Sequence, residues 1–282
     1  MLKWQFAACV RMSRCSCSWR LGMQFDTIIC GNAETALKTF PDRCVHLIVT
    51  SPPYNTGIPY DAYNDRQPLE KYWETMHAVF SECYRVLVRG GRCAINLPAC
   101  VMQHSGSRVA FLSVDFLAML RGIGFLPREI ITWVKSPNGL PSGKSTSWGS
   151  WRSPSNPALR DASEWIIVVH KETPELAGNG QPPDITRDEF LRWTTNVWLM
   201  QPETSRRTAH PAPFPFELPY RLIKLYTYPG QVVLDPFCGI GTTCIVAKRL
   251  KRRYIGIDTS ERYCYTARLA LSQTALFDLE HA

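Results

Sequence analysis

Residues 232–243 have the sequence VVLDPFCGIGTT, in which a β-branched run leads into a turn that contains two glycines. The apolar run predicts a buried strand, and the residues after Gly241 predict a helix. Gly239 and Gly241 let the turn be tight and let a ligand approach the backbone. Free N–H groups at the start of such a helix bind a carboxylate, and the Asp235 carboxylate would pair with an ammonium. We therefore predict a ligand site formed by Asp235, Pro236, Phe237, Gly239, Gly241, Thr242 and Thr243.

Strand-like and helix-like segments alternate through the rest of the chain. Strands are predicted at residues 25–30, 45–50, 92–97, 130–134, 165–169, 231–234 and 254–257. Helices are predicted at residues 33–40, 69–88, 114–121, 218–226, 242–250 and 262–276. Because the strands are continuously apolar and alternate with helices, we expect an α/β fold with a mostly parallel, doubly wound sheet. Such sheets bind ligands at the carboxyl ends of their strands.

A second carboxylate follows the next predicted strand. Asp258 ends the segment YIGID and lies nineteen positions after Gly239. An acidic residue at about that distance from a glycine turn binds a ribose diol. S-adenosylmethionine combines an ammonium, a carboxylate and an adenosine, and we predict it as the cofactor. The alternative for Asp258 is a helix N-cap, because Ser260 and a helix follow it.

Another loop, Ser51-Pro52-Pro53-Tyr54, follows the apolar run VHLIVT at residues 45–50. Two consecutive prolines remove two N–H donors and stiffen the chain, whereas their carbonyls remain acceptors. Rigid acceptors beside the flat ring of Tyr54 suit a planar base that carries an amino group. Such a site would localise the nitrogen lone pair and aim it at a sulfonium methyl group. We predict Ser51, Pro52, Pro53 and Tyr54 as catalytic residues, with a turn around a buried tyrosine as the alternative.

Together, the two loops resemble motifs of the β-class amino-group DNA methyltransferases, in which the catalytic motif precedes the cofactor motif. The sequence TSPPYN at residues 50–55 is similar to the catalytic motif, and residues 235–243 are similar to the cofactor motif. The resemblance covers residues 25–276 and implies a Rossmann-like S-adenosylmethionine-dependent methyltransferase fold with a DNA-recognition insertion. It also implies cofactor contacts at Asn32, Ala33, Thr50, His210, Pro211, Phe214 and Asp258.

Three positions qualify this resemblance. Asn32 stands where the family often has Asp, and Asp258 stands where it often has Glu, but both side chains can still form hydrogen bonds. Family members with Ser before Pro-Pro-Tyr, as at Ser51, mostly methylate cytosine N4, whereas those with Asp or Asn mostly methylate adenine N6. We therefore expect transfer to N4 of a cytosine flipped out of double-stranded DNA. Adenine N6 is the alternative, and a base in RNA or an amide in a protein is a more distant one.

Two segments have the composition of a DNA-recognition region. Residues 136–160 contain seven serines, four prolines and several basic residues without an acid, and residues 171–209 are rich in Pro, Thr and Arg. Cations hold phosphates, whereas side chains in the grooves distinguish bases. The alternative for Trp148 and Trp151 is packing within their own loop. The alternative for each cluster of basic residues, including residues 248–253, is a solvated face of the protein. We predict DNA contacts at Lys144, Trp148, Trp151, Arg152, Arg160, Arg206 and Arg207.

The composition fits a DNA-binding protein of the cytoplasm. The chain has 282 residues, 45% of them hydrophobic, and a net charge of +8. Its eleven cysteines include no CxxC pair, and its histidines lack metal-ligand spacing, so we expect reduced thiols and no metal site. No apolar run approaches the roughly 18 residues of a membrane helix.

We divide the chain into four parts. They are a basic, poorly structured or mobile extension at residues 1–22, a catalytic half at 23–135, target-recognition loops at 136–209 around a strand at 165–169, and a cofactor-binding half at 210–282. The resemblance implies double-stranded DNA as the partner. It also admits a homodimer and a cognate restriction endonuclease that acts on the same site.

Two other classes of protein remain as alternatives. A DNA-binding module that has lost catalysis is disfavoured because both loops are intact. A dinucleotide oxidoreductase is disfavoured because no G-x-G-x-x-G sequence follows the first predicted strand.

Overall fold

A computed structural model describes residues 24–102, 109–135, 161–203 and 214–280. Its strands are β1 (Thr27–Cys30), β2 (Val45–Thr50), β3 (Leu87–Leu97), β4 (Val101–Met102), β5 (Val109–Ala110), β6 (Leu126–Val134), β7 (Ser163–His170), β8 (Val197–Leu199), β9 (Val232–Asp235) and β10 (Arg253–Asp258). Its helices are α1 (Ala33–Leu37), α2 (Leu69–Val86), α3 (Leu112–Ile123), α4 (Arg187–Trp193), α5 (Glu217–Tyr226), α6 (Thr242–Arg249) and α7 (Glu261–Glu280).

Eight strands form one sheet in the order β1-β10-β9-β2-β3-β7-β6-β8, while β4 and β5 pair separately. The first five strands in that order are mutually parallel, and β7 runs antiparallel to both of its neighbours. The predicted α/β fold with a mostly parallel sheet is thereby confirmed. Strands β2 and β9 are neighbours, with Ile48 opposite Leu234, although they are far apart in sequence. The loops that follow these two strands therefore leave the sheet side by side.

Two hydrophobic clusters cover the two faces of the sheet. Along β2, Leu47 and Val49 point into the cluster that contains residues of α5, α6 and α7, whereas Ile48 points into the one that contains residues of α1, α2 and α3. This alternation follows from the two-residue period of a strand. Because both faces are covered, a central strand such as β2 is apolar almost throughout, which explains why its sequence predicted it well.

The start of β3 differs from the prediction. The sequence predicts a helix at residues 69–88 and a strand from residue 92, but α2 ends at Val86 and β3 already begins at Leu87. Gly90 has φ of +73°, and a Cβ there would lie 1.9 Å from the Glu175 carbonyl oxygen. The glycine is needed for a bend and a close backbone approach within the strand, rather than for ending the helix.

The segment after β7 is more ordered than predicted. Residues 171–209 were expected to be irregular, but they contain α4 and the short strand β8, which pairs with β6. Thr186 and Glu189 form a capping box at the start of α4. Glu189 also pairs with Lys224 of α5 at 2.7 Å. The T-x-x-E spacing was a visible signal for this helix.

The basic cluster at residues 248–253 divides into two groups. Arg252 is 2% exposed, pairs with Asp184 and donates to the Thr227 carbonyl. Lys248 donates to the Leu271 carbonyl at 2.8 Å. These two residues are used by the fold, whereas Arg249, Lys251 and Arg253 are exposed.

The extension predicted at residues 1–22 lies outside the described residues. Within the described part, no helix is both long and apolar enough to span a bilayer. The same residues contain no group of three or more His, Cys, Asp or Glu side chains arranged to hold a metal ion.

Candidate active site

An open cleft lies at the carboxyl edge of the parallel strands, and both predicted loops contribute to its wall. The predicted residues that line it are Asn32, Ala33, Ser51, Pro53, Tyr54, Pro236, Phe237 and Asp258. The catalytic and cofactor loops therefore meet in one cavity.

Asp235 joins the two loops from beneath and does not line the cleft. Its carboxylate accepts hydrogen bonds from the Thr50 hydroxyl at 2.7 Å, the Thr243 hydroxyl at 2.7 Å and the Phe237 N–H at 3.1 Å. Thr50 ends β2 and Thr243 lies in the first turn of α6, so one carboxylate ties the start of the catalytic loop to the two ends of the glycine turn. The ammonium contact expected for Asp235 stays a prediction.

Burial of Asp235 has an electrostatic consequence. The residue is 1% exposed. Burial raises the pKa of its carboxyl group to about 6, although the two threonine hydroxyls and the backbone N–H oppose the shift. Removing water disfavours the charged form more than these three hydrogen bonds restore it.

The glycine turn has the geometry that its sequence predicted. Gly241 has φ of +84°, and a Cβ at that position would lie 2.8 Å from the Cβ of Ala267. The left-handed backbone and the close approach of α7 both require glycine there. Gly239 also has positive φ, and its N–H donates to Asp258 at 2.9 Å.

Asp258 reaches the cleft while it braces the turn. One carboxylate oxygen accepts from the Gly239 N–H and the other accepts from the Ser260 N–H at 2.8 Å. Ser260, rather than Asp258, takes the helix-capping role, because its hydroxyl accepts from the Tyr263 N–H at 3.1 Å. Each carboxylate oxygen has more than one acceptor position. Asp258 therefore keeps acceptor capacity for a ligand diol.

Asn32 faces the same cleft from the end of β1. Its side-chain oxygen accepts from the Thr35 N–H at 3.2 Å and so caps α1. This cap explains why a short polar residue suits the position independently of any ligand. The cap uses one acceptor position of the oxygen, and the amide nitrogen of the same side chain is a donor.

The catalytic loop forms a compact hydrogen-bonded group. The hydroxyl oxygens of Ser51 and Tyr54 lie 2.8 Å apart, and each is 3.3 Å from the carbonyl oxygen of Asn96. Asn96 belongs to β3, which is paired with β2. Burial of the hydroxyl raises the pKa of Tyr54, so this group stays neutral. Sequence reasoning missed Asn96, because its role depends on strand pairing.

One proline carbonyl is not as free as predicted. The Pro53 carbonyl accepts a hydrogen bond from the Tyr72 hydroxyl of α2 at 2.8 Å, which holds the loop against the helix. Pro52 is buried, whereas Pro53 lines the cleft. The rigid array of acceptors expected at the two prolines is thus partly used by the fold.

The loop of residues 55–66, between β2 and α2, completes the wall. Asp65 is 2% exposed and accepts from the backbone N–H groups of Asn55, Thr56, Gly57 and Ile58. This cluster of donors fixes the path of the loop. As a result, the loop brings Tyr60, Ala62 and Tyr63 to the cleft, where Gly31, Thr75, Val79, Thr259, Ser260 and Tyr263 also contribute.

Other predicted residues have different positions. Thr50, Asp235, Gly239, Gly241, Thr242 and Thr243 support the cleft without lining it, and Phe214 packs against the hydrophobic cluster that contains α5. Nine predicted residues lie outside the described residues: His210, Pro211, Lys144, Trp148, Trp151, Arg152, Arg160, Arg206 and Arg207.

A model of the N6/N4 DNA methylase family matches residues 45–269 of this chain. The chain belongs to that family. The type II methyltransferase M.MjaI of Methanocaldococcus jannaschii is 31% identical, and the match covers 87% of this chain and 91% of that protein. The type II methyltransferase M.BglII of Bacillus subtilis is 30% identical, and the match covers 86% of this chain and 68% of that protein.

Solved structures agree with this assignment to the N6/N4 DNA methylases. TTHA0409 of Thermus thermophilus, described as a DNA modification methylase, was solved with S-adenosyl-L-methionine. It superposes with a TM-score of 0.69 at 28% identity, covering 88% of this chain and 93% of that one. In the present chain the family model matches from the first residue of β2 to residue 269, and this range includes Ser51, Asp235 and Asp258.

Proposed function

We propose that this methylase transfers a methyl group from S-adenosylmethionine to N4 of a cytosine that is flipped out of double-stranded DNA. The observation that carries the proposal is the shared cleft, which has Ser51 and Tyr54 on one wall and Phe237 and Asp258 on another. A transfer between two bound molecules needs both in one cavity with the reacting atoms aligned.

The cofactor end of the cleft fits S-adenosylmethionine. Phe237 and Pro236 supply apolar surface for an adenine ring, and Asp258 supplies a carboxylate for the ribose diol. When bound there, S-adenosylmethionine supplies an electrophilic methyl group on sulfur. The related protein TTHA0409 was solved with S-adenosyl-L-methionine, which supports the same ligand for the present chain.

The other end of the cleft fits a planar amino base. The Tyr54 ring offers a stacking surface, and Ser51 Oγ and the Pro52 carbonyl are the acceptors that we assign to the two amino hydrogens. As the N–C bond forms and the S–C bond breaks, the sulfur keeps the electron pair and leaves as the thioether S-adenosylhomocysteine, and the methylated nitrogen releases one of its hydrogens as a proton to water. Acceptors that are already in place stabilise the charge that develops on the nitrogen.

Ser51 supports cytosine as the target. The family resemblance favours cytosine N4 when Ser precedes Pro-Pro-Tyr, and Ser51 here is a neutral hydroxyl bonded to a neutral tyrosine. Adenine N6 is the second candidate, since the same acceptors could bind the adenine amino group. We assign the DNA contacts to Lys144, Trp148, Trp151, Arg152, Arg160, Arg206 and Arg207, and we place the protein in the cytoplasm with its DNA. A homodimer and a cognate endonuclease are compatible partners.

Mass spectrometry of nucleosides tests this proposal. Unmethylated plasmid DNA is incubated with the protein and S-adenosylmethionine that carries a deuterated methyl group, then digested to nucleosides. We expect deuterated N4-methylcytosine in the wild-type reaction and much slower formation of it with Ser51→Ala. Deuterated N6-methyladenine would overturn the choice of base. Label that appears only in RNA or protein added as competitor would overturn DNA as the substrate.

A further inference from the structure

Asn96 lies directly behind the two hydroxyl groups of the catalytic loop. It is 3% exposed and sits in β3, one residue beyond the partner of Thr50. Its side-chain nitrogen donates to the Tyr54 hydroxyl oxygen at 3.2 Å and to Glu164 of β7 at 2.6 Å. Its main-chain carbonyl is the oxygen that Ser51 and Tyr54 both approach.

Glu164 determines which way the Asn96 amide points. The carboxylate pairs with Lys135 and is mostly buried. An ionised carboxylate only accepts hydrogen bonds, so the amide must turn its nitrogen, and not its oxygen, towards Glu164. The same nitrogen is the atom next to Tyr54. The ion pair therefore keeps a hydrogen-bond donor aimed at the tyrosine hydroxyl.

This orientation sets the direction of the remaining bonds. Because the Tyr54 oxygen accepts from Asn96, its single proton goes to Ser51 Oγ, at 2.8 Å the nearer of its two acceptors. Ser51 then donates its own proton to the Asn96 carbonyl. A serine hydroxyl has one proton and two lone pairs, so one lone pair remains for a ligand. Hydrogen bonds that point the same way also strengthen one another.

We propose that Asn96 is a positioning residue that makes Ser51 act solely as a hydrogen-bond acceptor towards the amino group of the target base. The inference rests on the proposed function. It explains how a neutral serine can accept a hydrogen bond from the amino group, although a carboxylate would be the stronger acceptor. Among the described residues, the side-chain oxygen of Asn96 has no hydrogen-bond partner, and a buried polar atom without a partner lowers stability. A role in orienting Ser51 explains why an asparagine is buried here in spite of that cost.

A double-mutant cycle on the full-length protein tests the proposal. Single-turnover methyl transfer is measured at saturating S-adenosylmethionine and DNA for wild type, Asn96→Ala, Ser51→Ala and the double variant. Loss of one oriented hydrogen bond should slow transfer by about tenfold in Asn96→Ala. The same substitution should change the rate less than about twofold in the Ser51→Ala background, because Asn96 acts through Ser51. The dissociation constant for S-adenosylmethionine should stay within about twofold of wild type throughout.

Ser113→Ala is the matched control, since Ser113 is also buried and donates one hydrogen bond, to the Pro98 carbonyl of the segment that follows β3. It should lower thermal stability without slowing transfer. If Asn96→Ala folds poorly, Glu164→Gln preserves size and frees the amide to turn, and it should slow transfer with the same dependence on Ser51. Rate reductions from Asn96→Ala and Ser51→Ala that multiply in the double variant would overturn the inference. So would wild-type transfer rates in folded Asn96→Ala and in Glu164→Gln. A wild-type rate in Ser51→Ala would instead overturn the proposed function.

Discussion

Tyr54 combines two groups with separable roles, a ring that lines the cleft and a hydroxyl bonded to Ser51 and Asn96. We expect Tyr54→Phe to keep the stacking surface and to lose about tenfold in turnover, the equivalent of one hydrogen bond. Tyr54→Ala should lose more than about a hundredfold, because stacking on an aromatic ring contributes a further ~1–3 kcal/mol per base.

Single-turnover transfer and titration calorimetry with S-adenosylmethionine provide the measurement. Cofactor affinity should be nearly unchanged in both variants. If the Tyr54 variants lose more cofactor affinity than turnover, Tyr54 contacts the cofactor rather than the base.

The raised pKa of Asp235 predicts how the stability of the fold depends on pH. The carboxyl pKa is about 6 in the fold, against 3.8 for the exposed group, so between these values the folded chain holds a proton that the unfolded chain has lost. Stability conferred by the neutral form is therefore present at low pH and declines as pH rises to about 6. Asp235→Asn cannot titrate, and its amide oxygen replaces one of the two carboxylate oxygens that accept from the threonine hydroxyls.

Urea unfolding without ligand should show this difference. From pH 4 to pH 7 the free energy of unfolding of wild type, relative to Asp235→Asn, should fall on the order of 3 kcal/mol. Parallel profiles for the two proteins would mean that Asp235 titrates normally.

Much of the candidate site followed from residues whose roles are local. Gly241 was predicted from the turn that it makes, and Ser51 from its place in a recognisable loop. Asp235 was predicted as a ligand for an ammonium, yet its visible partners are Thr50 and Thr243. That result depends on β2 lying beside β9, and no feature near Asp235 in the sequence encodes it. Asn96 escaped prediction for the same reason, since its contacts cross three strands.

The elements differ in how readily their sequences predict them. Continuous apolar runs identified β2 and β9, because central strands are buried on both faces. The three-residue strand β8 was missed, because it is too short to show a period. The loop after the catalytic motif could not be placed from its sequence, since its path is set by the four N–H groups that converge on Asp65.

Asp65→Asn should loosen this loop. The amide oxygen can keep the position that accepts from Thr56, Gly57 and Ile58, but without the carboxylate charge, and the amide nitrogen then faces the Asn55 N–H. One hydrogen bond is lost and three are weakened, so Tyr60 and Tyr63 would be held less firmly at the cleft. We expect about tenfold weaker binding of S-adenosylmethionine or more, the equivalent of at least one charge-assisted hydrogen bond. Amide exchange at residues 56–58 should accelerate.

Glu70→Gln, at the exposed start of α2, is the matched control and should leave both measurements unchanged. If Asp65→Asn binds S-adenosylmethionine as wild type does, the loop is not part of the cofactor site.

The distribution of charge over the whole molecule predicts how it binds DNA. Part of the +8 net charge lies in the acid-free residues 135–160, which join β6 to β7. Replacing Lys144 and Arg152 by Gln should make the logarithmic salt dependence of DNA binding shallower by about 1.8, or 0.9 per phosphate contact.

The control is Arg249→Gln with Lys251→Gln, since both residues are exposed before the amino end of β10 and thus on the edge opposite to the cleft. An unchanged slope in the Lys144 and Arg152 variant, or an equal change in the control, would place the DNA contact elsewhere.

A crystal structure of the protein with S-adenosylhomocysteine and a duplex that it methylates would show whether the target base and the cofactor meet at Ser51. The distance to measure joins Ser51 Oγ to the exocyclic nitrogen of the target base. We expect a flipped cytosine stacked on Tyr54 with that distance near 3 Å, as in an ordinary hydrogen bond, and the homocysteine sulfur on the opposite side of the nitrogen. A cofactor bound outside the cleft of Phe237 and Asp258, or a base that never reaches Ser51, would contradict it.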